Sequence, residues 1–506
     1  VKRYAALVGV AAAAVAIGLA ELVAIVTGPR SAPLVAVGGV VIDVVPEPAK
    51  DLAIDLFGIY DKIALQVGTI VLLAAFAALV GLLASRNLWY GYAGIALFTA
   101  LALVSVLTRT GAQWPWILPS LAGGAAAAAT LYLLLGPGPG PGAARAERVP
   151  ASTERRRFLS QAGLVLGGAA VAGVGGRLLS TRRGVAEARD AVRLPPPASV
   201  AAPVPDGADL RIPDLARYVT PNRDFYRIDT ALVLPQVDPA TWRLRIYGRV
   251  RNPLTLTFQD LLGRPMVERY VTLCCVSNEV GGDLIGNARW LGVPVKDLLD
   301  EAEPLDGADQ VLSRSADGFT CGTPTAVLRD GRDALLAVGM NGEPLPVKHG
   351  FPVRMVTPGL YGYVSACKWI IGMELTSFED YSAYWIQRGW AQLGPIKTQS
   401  RIDVPRPGRE VPAGRVAVAG VAWAQHVGIA RVEVSVDGGQ WQQARLAGTT
   451  SVDTWRQWVW DWDAPPGRHT LRVRATDQTG ATQPEQERPI FPDGATGWHT
   501  VQVEVR

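Results

Sequence analysis

Four cysteines, Cys274, Cys275, Cys321 and Cys367, are confined to residues 274–367 of a 506-residue chain. No two of them show Cys-x-x-Cys spacing, which argues against a structural zinc site or a thioredoxin-like redox pair. Two disulfides are conceivable, although a bridge between the adjacent Cys274 and Cys275 would be strained. The stretch that concentrates the chemistry is 271–290, VTLCCVSNEVGGDLIGNARW. Its cysteines close a short β-like run at 270–273 and are followed by Val-Ser-Asn and a Gly-Gly turn. A thiol at a strand end, with flexible backbone around it, suits a metal ligand or a nucleophile, because the thiolate is the reactive form in both. The plain alternative is a buried cysteine acting as a small apolar side chain. Residue types alone leave Cys274 and Cys275 equivalent.

The elements around this stretch divide the chain into two or three domains. Hydrophobic residues make up 49% of the chain, but they crowd into its first 180 positions. Runs at 4–28, 63–85, 89–108 and 117–136 are each long enough to cross a bilayer, which takes about 20 residues. The run at 32–45 is too short and contains Asp43, so it is expected to be interfacial or re-entrant. A fifth run at 158–180 follows Arg155-Arg156-Arg157-Phe158-Leu159, which matches a twin-arginine export core. Its meaning would be export of an already folded, cofactor-loaded domain, with the helix kept as an uncleaved anchor. The distribution of Lys2, Arg3, Arg86, Arg145 and Arg148 then places the N-terminus in the cytoplasm and the soluble region outside it, in a multi-pass cell-membrane protein. The four histidines, His349, His426, His469 and His499, all lie beyond these runs, so no bis-histidine haem is expected in the membrane part of this chain. The net charge of +4 comes with no basic cluster interleaved with aromatics, so nucleic acid is not an expected partner.

The domain plan is a four-helix transmembrane region (1–140), a cytoplasmic linker with the anchor helix (141–180), a Pro-rich linker (181–212), a mixed α and β domain (213–400) and a β-rich domain (401–506). Within 213–400, alternation at 242–250 predicts a half-buried strand. Residues 257–262 predict a capped short helix and 294–299 a second one. Beyond residue 404, short alternating runs separated by turns such as Asp437-Gly438-Gly439 predict an immunoglobulin-like β-sandwich with a packing or dimerisation role.

Several motifs stand in register with those of the sulfite oxidase family of molybdopterin enzymes. Cys275-Val-Ser-Asn278 resembles the family's Cys-Ala-Gly-Asn, whose cysteine binds molybdenum, and residues 285–292 (IGNARWLG) resemble the stretch that follows it. MNGEPLP at 340–346, HGFPVR at 349–354 and Lys368-Trp369 complete the series, with FYRID at 225–229 similar to the segment that meets the pterin. The resemblance covers about residues 213–506 and is closest to membrane-anchored, actinobacterial-type members. It implies an α+β sulfite-oxidase-like domain holding Mo-molybdopterin, between the all-α membrane region and the sandwich. Cys275 is then the metal ligand and leaves Cys274 to packing. Phe225, Tyr226, Arg227, Asn278, Asp317, His349, Arg354, Ser365 and Lys368 are the implied cofactor contacts, since a pterin ending in phosphate needs cations and backbone donors.

The chain departs from the family where the substrate binds. Glu279 and Val280 stand where sulfite oxidases carry two arginines, Phe319 stands at the family's tyrosine, and the sandwich arginine is replaced within residues 426–429. Each lost charge-assisted hydrogen bond is worth roughly 1.5–3 kcal/mol, and Glu279 would repel an anion. The expectation is two-electron oxygen-atom transfer at a Mo–oxo centre on a sulfoxide or other neutral small molecule entering near Phe319 and Glu279. The alternatives are a true sulfite oxidase or dehydrogenase, in which other cations replace the arginines, and a non-catalytic membrane-tethered scaffold with an Ig-like tip. Electrons would pass to or from a quinone or a separate electron-transfer protein, membrane lipid surrounds the helices, and a homodimer is the expected assembly.

Overall fold

The computed structural model describes residues 4–45, 61–109, 112–135, 167–168, 185–231 and 233–506. The twin-arginine-like motif and nearly all of the expected fifth helix lie outside the described residues. The chain forms two compact units, one of residues 1–186 with 231–234, the other of the remainder from Glu187.

In the first unit, helices Ala5–Thr27, Asp61–Ala84, Leu88–Leu107 and Leu118–Leu135 correspond to the four expected spans. Their apolar stretches of 18 to 23 residues are long enough to cross a membrane. Large apolar side chains point outward, with Leu72 73% and Leu133 80% exposed, as a lipid-facing surface would have them. Small residues let the backbones touch: a Cβ added to Gly9 would fall 1.9 Å from the Ala77 carbonyl oxygen. The short run is a 12-residue helix, Pro33–Val44. At about 18 Å it cannot span a bilayer.

The second unit begins with chain expected to be a stiff linker. The structure instead lays it along the folded body: Ala198 N–H donates to the Met266 carbonyl (2.7 Å), Glu268 N–H to that of Ser199 (2.8 Å), and Leu210 N–H to Gln457 Oε1 (2.7 Å). Residues 243–376 then make two sheets. In one, Leu254–Thr257, Arg243–Gly248, Ile370–Thr376, Gln310–Ser315 and Thr320–Pro324 lie side by side. Leu244 and Ile246 alternate inward there at 0% exposure, as the sequence period requires. In the other, Val267–Cys274 pairs antiparallel with Ile285–Pro294, which pairs with Leu335–Met340. Trp242, Ile246, Val293, Leu298, Leu336 and Met355 fill the core that both sheets share. Helix Phe258–Leu262 is closed by a capping box: Asp260 N–H donates to Thr257 Oγ1 and Thr257 N–H to the Asp260 carboxylate. Helix Val295–Ala302 starts at Pro294.

From residue 399 the chain builds two facing β-sheets, one ordered around Gly414–Trp423 and Arg456–Ala464, the other around Ile429–Val436, Gly467–Asp477 and His499–Val505. Val418, Trp458 and Trp462 of the first meet Val434, Val473 and Val503 of the second. His499 Nδ1 accepts the Ile402 N–H at 3.0 Å. Burial, with Arg401 adding to it, pushes this imidazole down to about 4 from 6.5. Between those values the unfolded chain binds the extra proton, so stability is lost as pH falls from 6.5 toward 4. Thermal melts over that window should therefore show a smaller loss for His499→Asn, which keeps an acceptor but does not titrate. Equal slopes for the two proteins would contradict this.

Candidate active site

Strand pairing separates the two adjacent thiols. Cys274 is the last paired residue of Val267–Cys274, opposite Ile285, and Cys275 N–H closes the following loop on the Leu284 carbonyl (2.9 Å). Neighbouring strand residues point to opposite faces. Cys274 accordingly sits in an apolar core with Val276, Ile285 and Trp423, while Cys275 lines a cleft. All four cysteines are free, buried thiols. Burial pushes the Cys275 thiol up, so a neighbouring cation must supply the drive to ionise it. Among the described residues no three His, Cys, Asp or Glu side chains gather into a metal-binding group.

The electrostatics of the cleft are unusual in one respect. Arg354 is 5% exposed and has no carboxylate partner among the described residues. Its guanidinium donates to the carbonyls of His349 (3.1 Å) and Ala366 (3.4 Å) and lies 5.1 Å over the Trp290 ring. Burial pulls it down to about 10, still charged at neutral pH. Leaving a buried charge unpaired costs about 3–5 kcal/mol, so this position calls for an anionic ligand. Lys368 is different, because it already has a counter-ion: its Nζ is 2.8 Å from Asp229 Oδ2. Burial lowers this ammonium to about 8. Burial would raise Asp229, but hydrogen bonds from Arg227 and Lys368 outweigh it and hold the carboxyl below the usual range. His349 is neutral, pushed down to about 3 by burial and by Arg354, with its Nε2–H directed to the Asn222 carbonyl (3.1 Å). The Phe225 ring stacks on Tyr226 (5.3 Å) and meets His349 edge-on (5.5 Å).

Phe225, Tyr226, Cys275, Asp317, Phe319, His349, Arg354 and Lys368 thus converge on one cleft. Four of the expected site residues do not line it. Glu279 is exposed on the turn that follows, where Asn278 Oδ1 takes the Leu284 N–H (2.8 Å) and Glu279's own carbonyl takes the Gly282 N–H (2.9 Å). That turn is pinned to the C-terminal domain by Arg401 Nη1 on the Gly282 carbonyl (2.6 Å). Asn278 is therefore a loop brace. Ser365 is 0% exposed, its hydroxyl within 2.9 Å of the Leu360 and Tyr361 carbonyls. Arg227 approaches the cleft through Asp229 alone. His426, in the run expected near the substrate, pairs instead with Asp453 (3.2 Å). Asp229 and Ser277 stand inside the quoted motifs but were given no role, and Tyr363, Trp385 and Trp390 lie outside them; all five line the cleft. A usable signal was the aromatic density of 381–390, YSAYWIQRGW.

Residues 231–385 match the oxidoreductase molybdopterin binding domain, and residues 393–506 match the Mo-co oxidoreductase dimerisation domain. Sulfite oxidase of Gallus gallus is 31% identical over 337 residues, 56% of this chain and 72% of that one. The chain belongs to the sulfite oxidase family. Mitochondrial sulfite oxidase of Mus musculus is 33% identical over 340 residues, 57% of this chain and 62% of the relative, so the chain spans about three-fifths of that protein's length. Among solved structures, the sulfane dehydrogenase SoxCD of Paracoccus pantotrophus has a TM-score of 0.50 at 25% identity, over 56% of this chain and 81% of that one. The family is one of molybdopterin-dependent oxidoreductases. The donor set here fits that cofactor: a thiol on the cleft wall for the metal, and a buried guanidinium without an acid for a phosphate-bearing pterin.

Proposed function

We propose that this chain is a membrane-anchored molybdenum oxidoreductase that transfers an oxygen atom to or from a neutral small molecule, such as a sulfoxide, in a two-electron reaction. The observation that supports a neutral substrate is the charge balance of the cleft. Its lining cations are Arg354 and Lys368. The second is ion-paired with Asp229, a carboxylate it shares with Arg227, and the first is the candidate for the cofactor's phosphate. The rest of the lining is largely aromatic and apolar, including Phe319, Tyr363, Trp385 and Trp390. A dianion such as sulfite would have to give up its water there with both lining cations already engaged, Lys368 by Asp229 and Arg354 by the cofactor.

Molybdenum, when bound, supplies the oxygen-atom transfer and the two-electron change. Cys275 would hold the metal, with Ser277 N–H (3.4 Å) steadying the sulfur. Arg354, His349 and Lys368 would hold the pterin and its phosphate, alongside Phe225 and Tyr226. Asp317 and Phe319 would face the bound ligands. Arg227 would act indirectly by fixing Asp229. The neutral state of His349 makes it a hydrogen-bond donor to Asn222 rather than a further cation. The chain would be carried in the cell membrane by its apolar helices, with the catalytic unit extracytoplasmic after twin-arginine export, and electrons would be exchanged with a quinone or an electron-transfer protein. The C-terminal domain would pair two copies through an Ig-like sandwich. Turnover of the purified holoenzyme on methionine sulfoxide and on sulfite tests the reading. A kcat/KM at least about tenfold higher on the sulfoxide is expected from the missing charge-assisted contacts, whereas preference for sulfite would overturn the neutral-substrate assignment.

A further inference from the structure

One side of the cleft is not accounted for by groups that would hold a cofactor. Trp385 and Trp390 both line it, their rings edge to face at 6.1 Å. Tyr363 extends the same wall, 6.0 Å from Trp390, with its hydroxyl donating to the Ala391 carbonyl (2.7 Å). All three side chains are neutral. Neither indole N–H has a protein acceptor among the described residues, so each remains able to donate to a ligand oxygen.

The loop that carries the two tryptophans is braced from outside the cleft. It turns through the short helix Ile386–Arg388 and through Gly389, whose φ of 87° brings the chain back on itself. Phe491, beyond the cleft and 52% exposed, packs edge-on against Trp390 at 5.4 Å. The neighbouring Pro492 carbonyl accepts Ala391 N–H at 3.0 Å. Both bracing residues belong to the C-terminal, β-rich part of the chain.

We propose that Trp390, with Trp385, forms a subsite for the organic substituent of the substrate, favouring an aryl over a methyl group, and that Phe491 holds this subsite in place from the C-terminal domain. Indole faces and edges bind flat apolar groups through dispersion and quadrupole contacts, with Trp390 meeting the substituent while the N–H of Trp385 suits the uncharged oxygen of a sulfoxide. The proposal takes its ligand class from the function proposed above, but its test reads binding rather than turnover.

The test is calorimetric titration of the holoenzyme with methyl phenyl sulfoxide and with dimethyl sulfoxide. Wild type is expected to bind the aryl compound at least about tenfold more tightly, Trp390→Ala to remove about tenfold of that preference, and its affinity for dimethyl sulfoxide to stay within about twofold. Trp390→Phe should retain part of the preference. Phe491→Ala, which touches no ligand, should lower it by about threefold with normal molybdenum content. Absence of the preference in wild type, or equal weakening of both ligands in Trp390→Ala, overturns the subsite. A preference that is present and Trp390-dependent in an enzyme that turns over neither sulfoxide supports the subsite and counts against the proposed reaction.

Discussion

Cys275→Ser is expected to lower turnover by at least about a thousandfold, equivalent to roughly 4 kcal/mol of lost transition-state stabilisation. The folded protein should remain. Serine fits the same volume, and the contacts that place residue 275, its N–H on the Leu284 carbonyl and the turn closed by Asn278, are made by backbone or by other side chains. What is lost is the soft thiolate that a molybdenum centre accepts readily. Cys274→Ser is the informative control, because it changes the adjacent residue on the opposite face. It would put a hydroxyl into the apolar cluster of Val276, Ile285 and Trp423, so it should cost stability and leave metal content intact. Steady-state kinetics and thermal melts of the two variants separate the roles. Activity retained in Cys275→Ser, or lost equally in both, would refute the ligand assignment.

Arg354→Met is expected to lower pterin content at least about tenfold, since the charge lost is buried and has no carboxylate partner among the described residues. The stability of the cofactor-free protein should change little. Removing a lone buried charge relieves a desolvation cost, which offsets the lost hydrogen bonds to the His349 and Ala366 carbonyls, each worth about 1.5–3 kcal/mol. A structural arginine would behave in the opposite way, with normal pterin content in a protein whose melting temperature has fallen sharply. Pterin fluorescence of the denatured protein and melting of the cofactor-free form read the two outcomes.

Much of the architecture was legible because it follows periodicity. Leu244 and Ile246 alternate inward as their spacing requires, the short alternating runs beyond residue 404 are strands such as Ile429–Val436, and the Thr257–Asp260 box caps its helix. The site was legible where a side chain near a motif points into the cleft, as with Cys275, His349, Arg354 and Lys368. It was misread where neighbours in sequence were assumed to be neighbours in the site. Glu279 follows Asn278 directly, yet the turn held by Leu284 N–H and by Arg401 of the C-terminal domain carries it outward. Ser365 lies between two cleft-lining segments, yet its hydroxyl is consumed by carbonyls of its own turn. Asp229, quoted within FYRID but given no role, and Trp385 and Trp390 were passed over for the reverse reason. Their roles depend on Lys368, 139 residues away from Asp229, and on Phe491, and pairings at that separation leave no local pattern. The proline-rich stretch beginning near Leu194 looks like a tether in composition, but its backbone groups find partners at Met266 and Gln457.

The central claim is that one thiol and one unpaired guanidinium build a molybdopterin site. The measurement that meets it most directly is metal and pterin analysis of the purified chain from a host that makes the cofactor. One molybdenum and one pterin per chain are expected. A stably folded protein that carries neither would contradict the account.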